Sequence, residues 1–218
     1  MKRIIIVCEG QTEQVFCDKT LSPYFIGRNY HIQAHTIKHT RGGIVKWNVL
    51  KKQIETHLKT DKTAYVTTLI DYYGLYQKYN FPNWNAAELV MDKSERMNIL
   101  EKGMKDDIDE THRNRFIPYL QLHEFEGLLF NDLNVFHQQI PSADLIGLEE
   151  LNKTFQDYEN PEMINNNRST SPSHRLQRII AGYNKIVYGD ILAEAIGLQR
   201  IRQKSPRFNN WLQILENL

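Results

Sequence analysis

The sequence predicts an α/β protein: a mostly parallel four-stranded sheet flanked by helices, with a helical C-terminal extension. Three observations lead there. Residues 3–8 carry a continuous Ile/Val run, the pattern of a strand buried on both faces, which occurs mainly in parallel sheets covered by helices. Strand-like and helix-like segments then alternate at short spacing up to residue 122. Beyond Phe130, apolar residues recur only at helical spacing.

The elements follow in order. After the first strand, Gly10, Gln11 and Thr12 punctuate, and Glu13, Val15, Phe16, Lys19 and Leu21 carry a helical alternation that Pro23 and Gly27 help to end. Residues 31–37 predict a second strand, and residues 43–59 an amphipathic helix with Val45, Val49, Ile54 and Leu58 inward. A third strand is expected over 64–70, a polar-faced helix burying Met97, Leu100 and Met104 over 92–108, and a fourth strand over 116–122. Helices are then expected over 145–155, 176–186, 191–196 and 208–215, while residues 159–173, rich in Asn, Ser, Thr and Pro, predict a long surface loop with little to bury. The expected organisation is a core over 1–131 with a helical extension over 132–218 packed on it as one structural unit.

Composition narrows the class of function. With 218 residues, 41% hydrophobic, 24% charged and 11% aromatic, the chain is long enough for a packed core and unlike disordered, collagen-like or coiled-coil sequences. Lys+Arg 27 against Asp+Glu 26 leaves +1, so nucleic-acid contact must come from a local patch rather than from overall charge. The apolar run at residues 4–8 is far short of the ~20 residues of a membrane span, and no signal-peptide pattern follows it, so a cytoplasmic protein without a membrane partner is expected. Cys8 and Cys17 lack C-x-x-C spacing and fall in a predicted strand and helix, as reduced core thiols do.

In an open parallel sheet, ligands sit outside the carboxyl ends of the strands. Acids follow three of the four predicted strands: Glu9, then Asp71, then Glu124 and Glu126. If those ends are neighbours, the carboxylates converge on one rim and call for a hard cation, Mg²⁺ or Mn²⁺, which keeps waters and accepts phosphate oxygens. Each acid also has an ordinary local role, Glu9 as a helix-start charge and Asp71 as a partner of its own turn. Their recurrence favours the shared site. Glu13, in the first helical turn, is first a dipole-compensating charge and second a metal ligand. Glu124 and Glu126 face the same way if the strand continues and differ if a helix starts at Glu124, so either can complete the set.

Arg41-Gly42-Gly43 opens the helix after the second strand, where backbone N–H groups and a guanidinium suit a phosphate; a plain turn with an exposed arginine is the equal alternative. Arg168, His174, Arg175, Arg178, Arg200, Arg202, Lys204 and Arg207 concentrate positive charge in the C-terminal part. Arg175, Arg202 and Arg207 are the candidate phosphate ligands among them, against a solvated surface balanced by acids. Tyr72, Tyr73, Tyr76, Tyr79, Phe81 and Trp84 follow the third strand, either as a lid packed on the domain, the favoured reading, or as rings that stack on unpaired bases. His31, His35 and His39 match no metal spacing and read as surface or core histidines.

Glu9-Gly10-Gln11-Thr12-Glu13, Asp71-Tyr72-Tyr73-Gly74-Leu75 and His123-Glu124-Phe125-Glu126-Gly127-Leu128-Leu129-Phe130 resemble the signature of domain-of-unknown-function family 4276. So do Pro172-Ser173-His174-Arg175-Leu176, Ala195-Ile196-Gly197-Leu198, Ile201-Arg202, Pro206-Arg207-Phe208 and Trp211-Leu212, and the resemblance covers nearly the whole chain. That family is similar in turn to the Toprim fold of topoisomerases, primases and old-type nucleases. The resemblance implies a Toprim-like, Mg²⁺-binding rim in which Glu9 is the catalytic general acid or base and Asp71 matches the first acid of a paired aspartate motif. Tyr73 stands where the second aspartate belongs, so Glu124 or Glu126 would complete the shell. It also implies a nuclease acting on DNA or RNA, beside an ATPase partner in bacterial defence or DNA maintenance. The rival expectation, favoured by the missing aspartate, is a non-catalytic subunit that binds a nucleotide or an ATPase partner; a purely structural adaptor predicts no metal.

Overall fold

The Ile/Val run is the middle of a parallel sheet. In the computed structural model, which describes residues 1–38, 43–165 and 168–218, β1 (Lys2–Cys8) pairs in parallel with β2 (Tyr30–Thr36) on one side. On the other side it pairs with β3 (Tyr65–Asp71), which in turn pairs in parallel with β4 (Phe116–Ile117) and β5 (Leu120–Gln121). The order is β2-β1-β3-β4, with β5 also on β3. Residues 4–8 are at most 4% exposed, as a strand covered on both faces must be. The chain divides into two compact units, Met1–Leu122 and His123–Leu218.

In the first unit, helices cover the sheet: α1 (Gln11–Phe16), α2 (Ser22–Ile26), α3 (Trp47–Thr60), α4 (Trp84–Glu88), α5 (Lys93–Asp107) and α6 (Glu110–Arg113). Alternation along β1 sends Ile5 and Val7 to one face, where they join Leu50, Ile54 and Leu58 of α3 and Met97, Leu100 and Met104 of α5. The stripe on α3 runs Trp47, Leu50, Ile54, Leu58, so Val49, expected inward, lies off it and is exposed. Pro23 does not end the first helix. A five-residue π-helical turn, Cys17–Leu21, leads into α2, and Pro23 sits in its first turn, where a missing N–H leaves no bond unmade. Cys8 and Cys17 are free and buried, and burial with the neighbouring Cys17 pushes the Cys8 thiol well up.

The expected fourth strand is two short pieces because Pro118, between them, has no N–H to give the ladder. Thr68 bridges the gap. Its Oγ1 donates to Tyr119 O at 2.7 Å and accepts from Tyr119 N–H at 2.9 Å, so a fully buried hydroxyl replaces the missing ladder bonds. At the carboxyl end the ladder runs one bond past each strand: Glu9 N–H to Leu69 O, Ile37 N–H to Cys8 O and Tyr72 N–H to Gln121 O.

The second unit is helical: α7 (Leu133–Gln139), α8 (Leu148–Asp157), α9 (Pro172–Ile179), α10 (Lys185–Ile196), α11 (Leu198–Lys204) and α12 (Pro206–Glu216). Among the described residues no strand follows Gln121, and no helix is long and apolar enough to cross a membrane. Several described residues within 159–173 are buried rather than exposed as the loop reading expected. Glu162, Ile164 and Ser171 are buried, and Glu162 accepts hydrogen bonds from Arg207 N–H (2.9 Å) and Phe208 N–H (3.0 Å) at the start of α12.

Thr68→Val should destabilise the protein by about 2 kcal/mol in urea unfolding, since it leaves a buried N–H and C=O unpaired, and Thr68→Ser should recover most of that loss. His57 gives a pH dependence. Its ring stacks on His35 at 5.1 Å, and burial, then His35 and Lys38, push its pKa below the ordinary 6.5. The unfolded chain therefore takes the proton first, and the stability His57 confers is complete above pH 6.5 and lost as pH falls below it. The urea midpoint should drop between pH 7.5 and 5, and His57→Gln should flatten that slope.

Candidate functional site

The chain leaves β1 toward β2 and then crosses back to β3 on the other side of β1. The crevice where those connections diverge, outside the carboxyl ends of β1 and β3, is where open parallel sheets bind ligands. Glu9 follows β1 directly and Asp71 is the last residue of β3. Asp71 N–H donates to Glu9 Oε2 at 3.0 Å, so the strand ends, 62 residues apart in sequence, fix one carboxylate against the residue that bears the other. Glu9 is half-buried and Asp71 is 5% exposed.

Glu13 shapes the turn that carries Glu9. It is buried, and its Oε2 accepts Gly10 N–H at 2.8 Å, the reciprocal half of a capping box at the start of α1. Tyr73, two residues beyond Asp71, is half-buried. His39, Arg41 and Gly42 lie outside the described residues, as does the Arg168 side chain. Gly43 has φ +104°, a conformation few other residues adopt.

Glu124 and Glu126 lie in the second unit, on neither a continued strand nor an α-helix. His123 enters at φ 67°, uncommon for a residue with a Cβ, Glu124 is extended, and a 3₁₀ turn spans Phe125–Leu129. Glu124 Oε2 accepts Ser173 N–H at 2.8 Å and its Oε1 accepts Ser173 Oγ–H at 2.9 Å, so this buried carboxylate holds the first turn of α9. Glu126 is fully buried, with Lys185 Nζ 2.9 Å from its Oε1. Burial and then Glu126 drive the Tyr183 phenol strongly upward, Lys185 offsets part of this and Glu124 adds to it, so Tyr183 keeps its proton. Ser171 Oγ and His174 Nδ1 are 2.8 Å apart. Sequence reasoning missed Ser173, Tyr183 and Lys185 as partners of these acids; the one signal was the Pro172-Ser173-His174 helix start.

The C-terminal arginines face acids. Arg202 grips Glu216 through both Nη atoms (2.6 and 3.0 Å), and Arg200 meets Asp132 at 2.6 Å. Arg175 donates to Thr170 O and Thr154 Oγ1, and Arg207 meets Glu162 through its backbone N–H. The lid reading holds for Phe81 and Trp84, both buried in the core, while Tyr76 is 54% exposed.

Among the described residues no group of three or more His, Cys, Asp or Glu side chains is gathered to hold a metal ion. The Glu9–Asp71 pair nonetheless suits Mg²⁺ or Mn²⁺. Both donors are hard oxygens, and such ions are commonly held by one or two carboxylates with waters and substrate phosphate completing the shell.

Fold and rim together define the class: an α/β protein with a parallel sheet whose neighbouring strand ends, where its connections diverge, carry Glu9 and Asp71. The model of a domain of unknown function, DUF4276, matches residues 8–216, and the chain belongs to that family. No curated protein and no solved structure matches it.

Ser173→Ala removes one of two donors to the buried Glu124 carboxylate and should cost about 2 kcal/mol in urea unfolding, with Ser173→Thr close to wild type.

Proposed function

We propose that the protein is a divalent-metal-dependent nuclease of Toprim type, hydrolysing phosphodiester bonds in DNA or RNA with Glu9 and Asp71 as its catalytic pair. The observation that carries this is the hydrogen bond from Asp71 N–H to Glu9 Oε2 in the crevice between β1 and β3. Glu9 and Asp71 would hold Mg²⁺ or Mn²⁺, which supplies charge to polarise a phosphate and acidify a water. Glu9 takes the proton from the attacking water and returns it to the leaving oxygen, held in orientation by the backbone of Asp71. Glu13, through Gly10 N–H, positions the turn that bears Glu9 and is the second-rank ligand. Arg41-Gly42-Gly43, between β2 and α3, is the candidate phosphate contact. Glu124 and Glu126 are engaged with Ser173 and Lys185, and the reading does not depend on them. The family resemblance supports an ATPase partner in defence or DNA maintenance.

A second reading, a non-catalytic subunit that binds a nucleotide or an ATPase, draws on Tyr73 in place of a second aspartate. One set of measurements separates the two. With Mn²⁺, the purified protein should nick plasmid or cut single-stranded DNA or RNA, Glu9→Gln should lower the rate about 10²-fold or more with the fold intact, and Asp71→Ala should weaken Mn²⁺ binding in isothermal titration. Undiminished cleavage by Glu9→Gln, or unchanged Mn²⁺ affinity in Asp71→Ala, refutes the mechanism. Metal binding without cleavage supports the subunit.

A further inference from the structure

A small cavity between the end of β2 and α3 gathers positive charge that the proposed hydrolysis leaves unused. Its walls are Lys38, just past β2, and Val49, Lys52, Gln53, Thr56 and His57 of α3. It measures about 190 Å³, below the roughly 300–1,000 Å³ usual for whole small molecules, so it suits one compact group. Gln53 builds it. This side chain is buried, its Oε1 accepts Lys38 N–H at 2.9 Å and its Nε2 donates to Thr36 O at 3.0 Å, which fixes the strand end against the helix. Ile37 N–H donates to Cys8 O at 2.9 Å, so Lys38 leaves the carboxyl end of the sheet one strand away from Glu9.

The lysines of this region divide by partner. Lys51 meets Asp107 at 3.0 Å and Lys59 meets Glu55 at 3.4 Å, whereas Lys38 and Lys52 pair with no acid among the described residues. Both are exposed, and no described Asp or Glu lines the cavity. Half-buried His57 completes the wall, its ring stacked on His35 with 18° between the planes. Burial, then His35 and Lys38, hold its pKa below 6.5, so the Lys38 charge bears on this ring. Asp18 acts on His35 and lies outside the cavity. Gln53 and Thr56 spend donors on the backbone, Thr56 Oγ1 giving its proton to Lys52 O at 2.7 Å, which leaves two ammonium groups and an imidazole to meet an occupant. Cations gathered without a carboxylate repel one another until an anion arrives.

We propose that this cavity binds a phosphate monoester group. Such a group carries about −1.5 to −2 charge at neutral pH, and its oxygens point in several directions, so it can meet Lys38, Lys52 and His57 together. A carboxylate brings one charge and two oxygens in one plane. Lysine serves phosphate as a point charge, so two flexible ammonium groups suit it without a fixed fork. The site needs no metal at Glu9 and Asp71, and it goes beyond the cleavage reading. The group can end a nucleic-acid strand or be free phosphate, and the two sources share this chemistry. A strand end held there would lie one sheet strand from the Glu9–Asp71 crevice.

Proton NMR of His57 in EDTA tests it, at constant ionic strength. The His57 signal is the one lost in His57→Gln, and inorganic phosphate should raise the pKa it reports by about half a unit or more, because a bound anion favours the imidazolium. Lys38→Gln with Lys52→Gln alters two exposed side chains, leaves the fold intact, and should weaken phosphate binding about ten-fold or more in the same titration. Fluorescence anisotropy then compares strands of one sequence bearing a 5′-phosphate or a 5′-hydroxyl. Binding of the 5′-phosphate strand that is tighter by about five-fold or more, and levelled in the double variant, identifies a strand end. Equal binding of the two strands with His57 still responsive identifies free phosphate. No phosphate-dependent change at His57, or an equal change in the double variant, overturns the proposal. Cleavage in Mn²⁺ with a silent His57 sinks the cavity and leaves the rim standing, while a phosphate response without cleavage does the reverse.

Discussion

Cys8 stands opposite Leu69 in the parallel pairing of β1 with β3, and that register governs everything at the carboxyl end of the sheet. It brings Glu9 N–H to Leu69 O and Asp71 N–H to the Glu9 carboxylate. A slip of one residue would turn Glu9 to the other face. Because β1 is apolar on both sides, its hydrophobic pattern alone does not penalise such a slip; polar groups must. The Glu9–Asp71 bond at one border of β3 and the Thr68 bridge to Tyr119 at the other supply that discrimination. The residues suited to chemistry are thus also residues that hold the sheet in alignment.

Much of the first unit was legible in the sequence because its signals are long and local. The six or more residues of β1 and the Met97, Leu100, Met104 stripe of α5 announce themselves by composition and period. The strand-end rule placed Glu9 and Asp71 at neighbouring strand ends because it depends on topology rather than on side-chain detail. What escaped was short or distant. Two-residue strands around Pro118 and the 3₁₀ turn bearing Glu126 have no period to read. The partners of the buried acids stand far off in the chain, Ser173 49 residues from Glu124 and Arg207 45 from Glu162, so burial of a polar segment such as 159–173 could not be inferred from its composition.

The second unit uses one device twice. Glu124 caps the opening of α9 and Glu162 that of α12, each taking donors that a helix leaves unsatisfied at its start. Arg200 with Asp132, and Arg202 with Glu216, match charge with charge in the same way. A cluster of arginines that looks basic in sequence is largely neutralised within the unit, which fits the near-zero total charge.

Pro118 has an effect beyond splitting β4 from β5. The margin of a sheet is dangerous because a long row of open N–H and C=O groups invites a strand from another copy, and repeated capture of that kind builds fibrils. Two-residue pieces with a proline between them present no such row. On that flank the chain is protected against self-templated aggregation by the same residue that made its last strand hard to recognise.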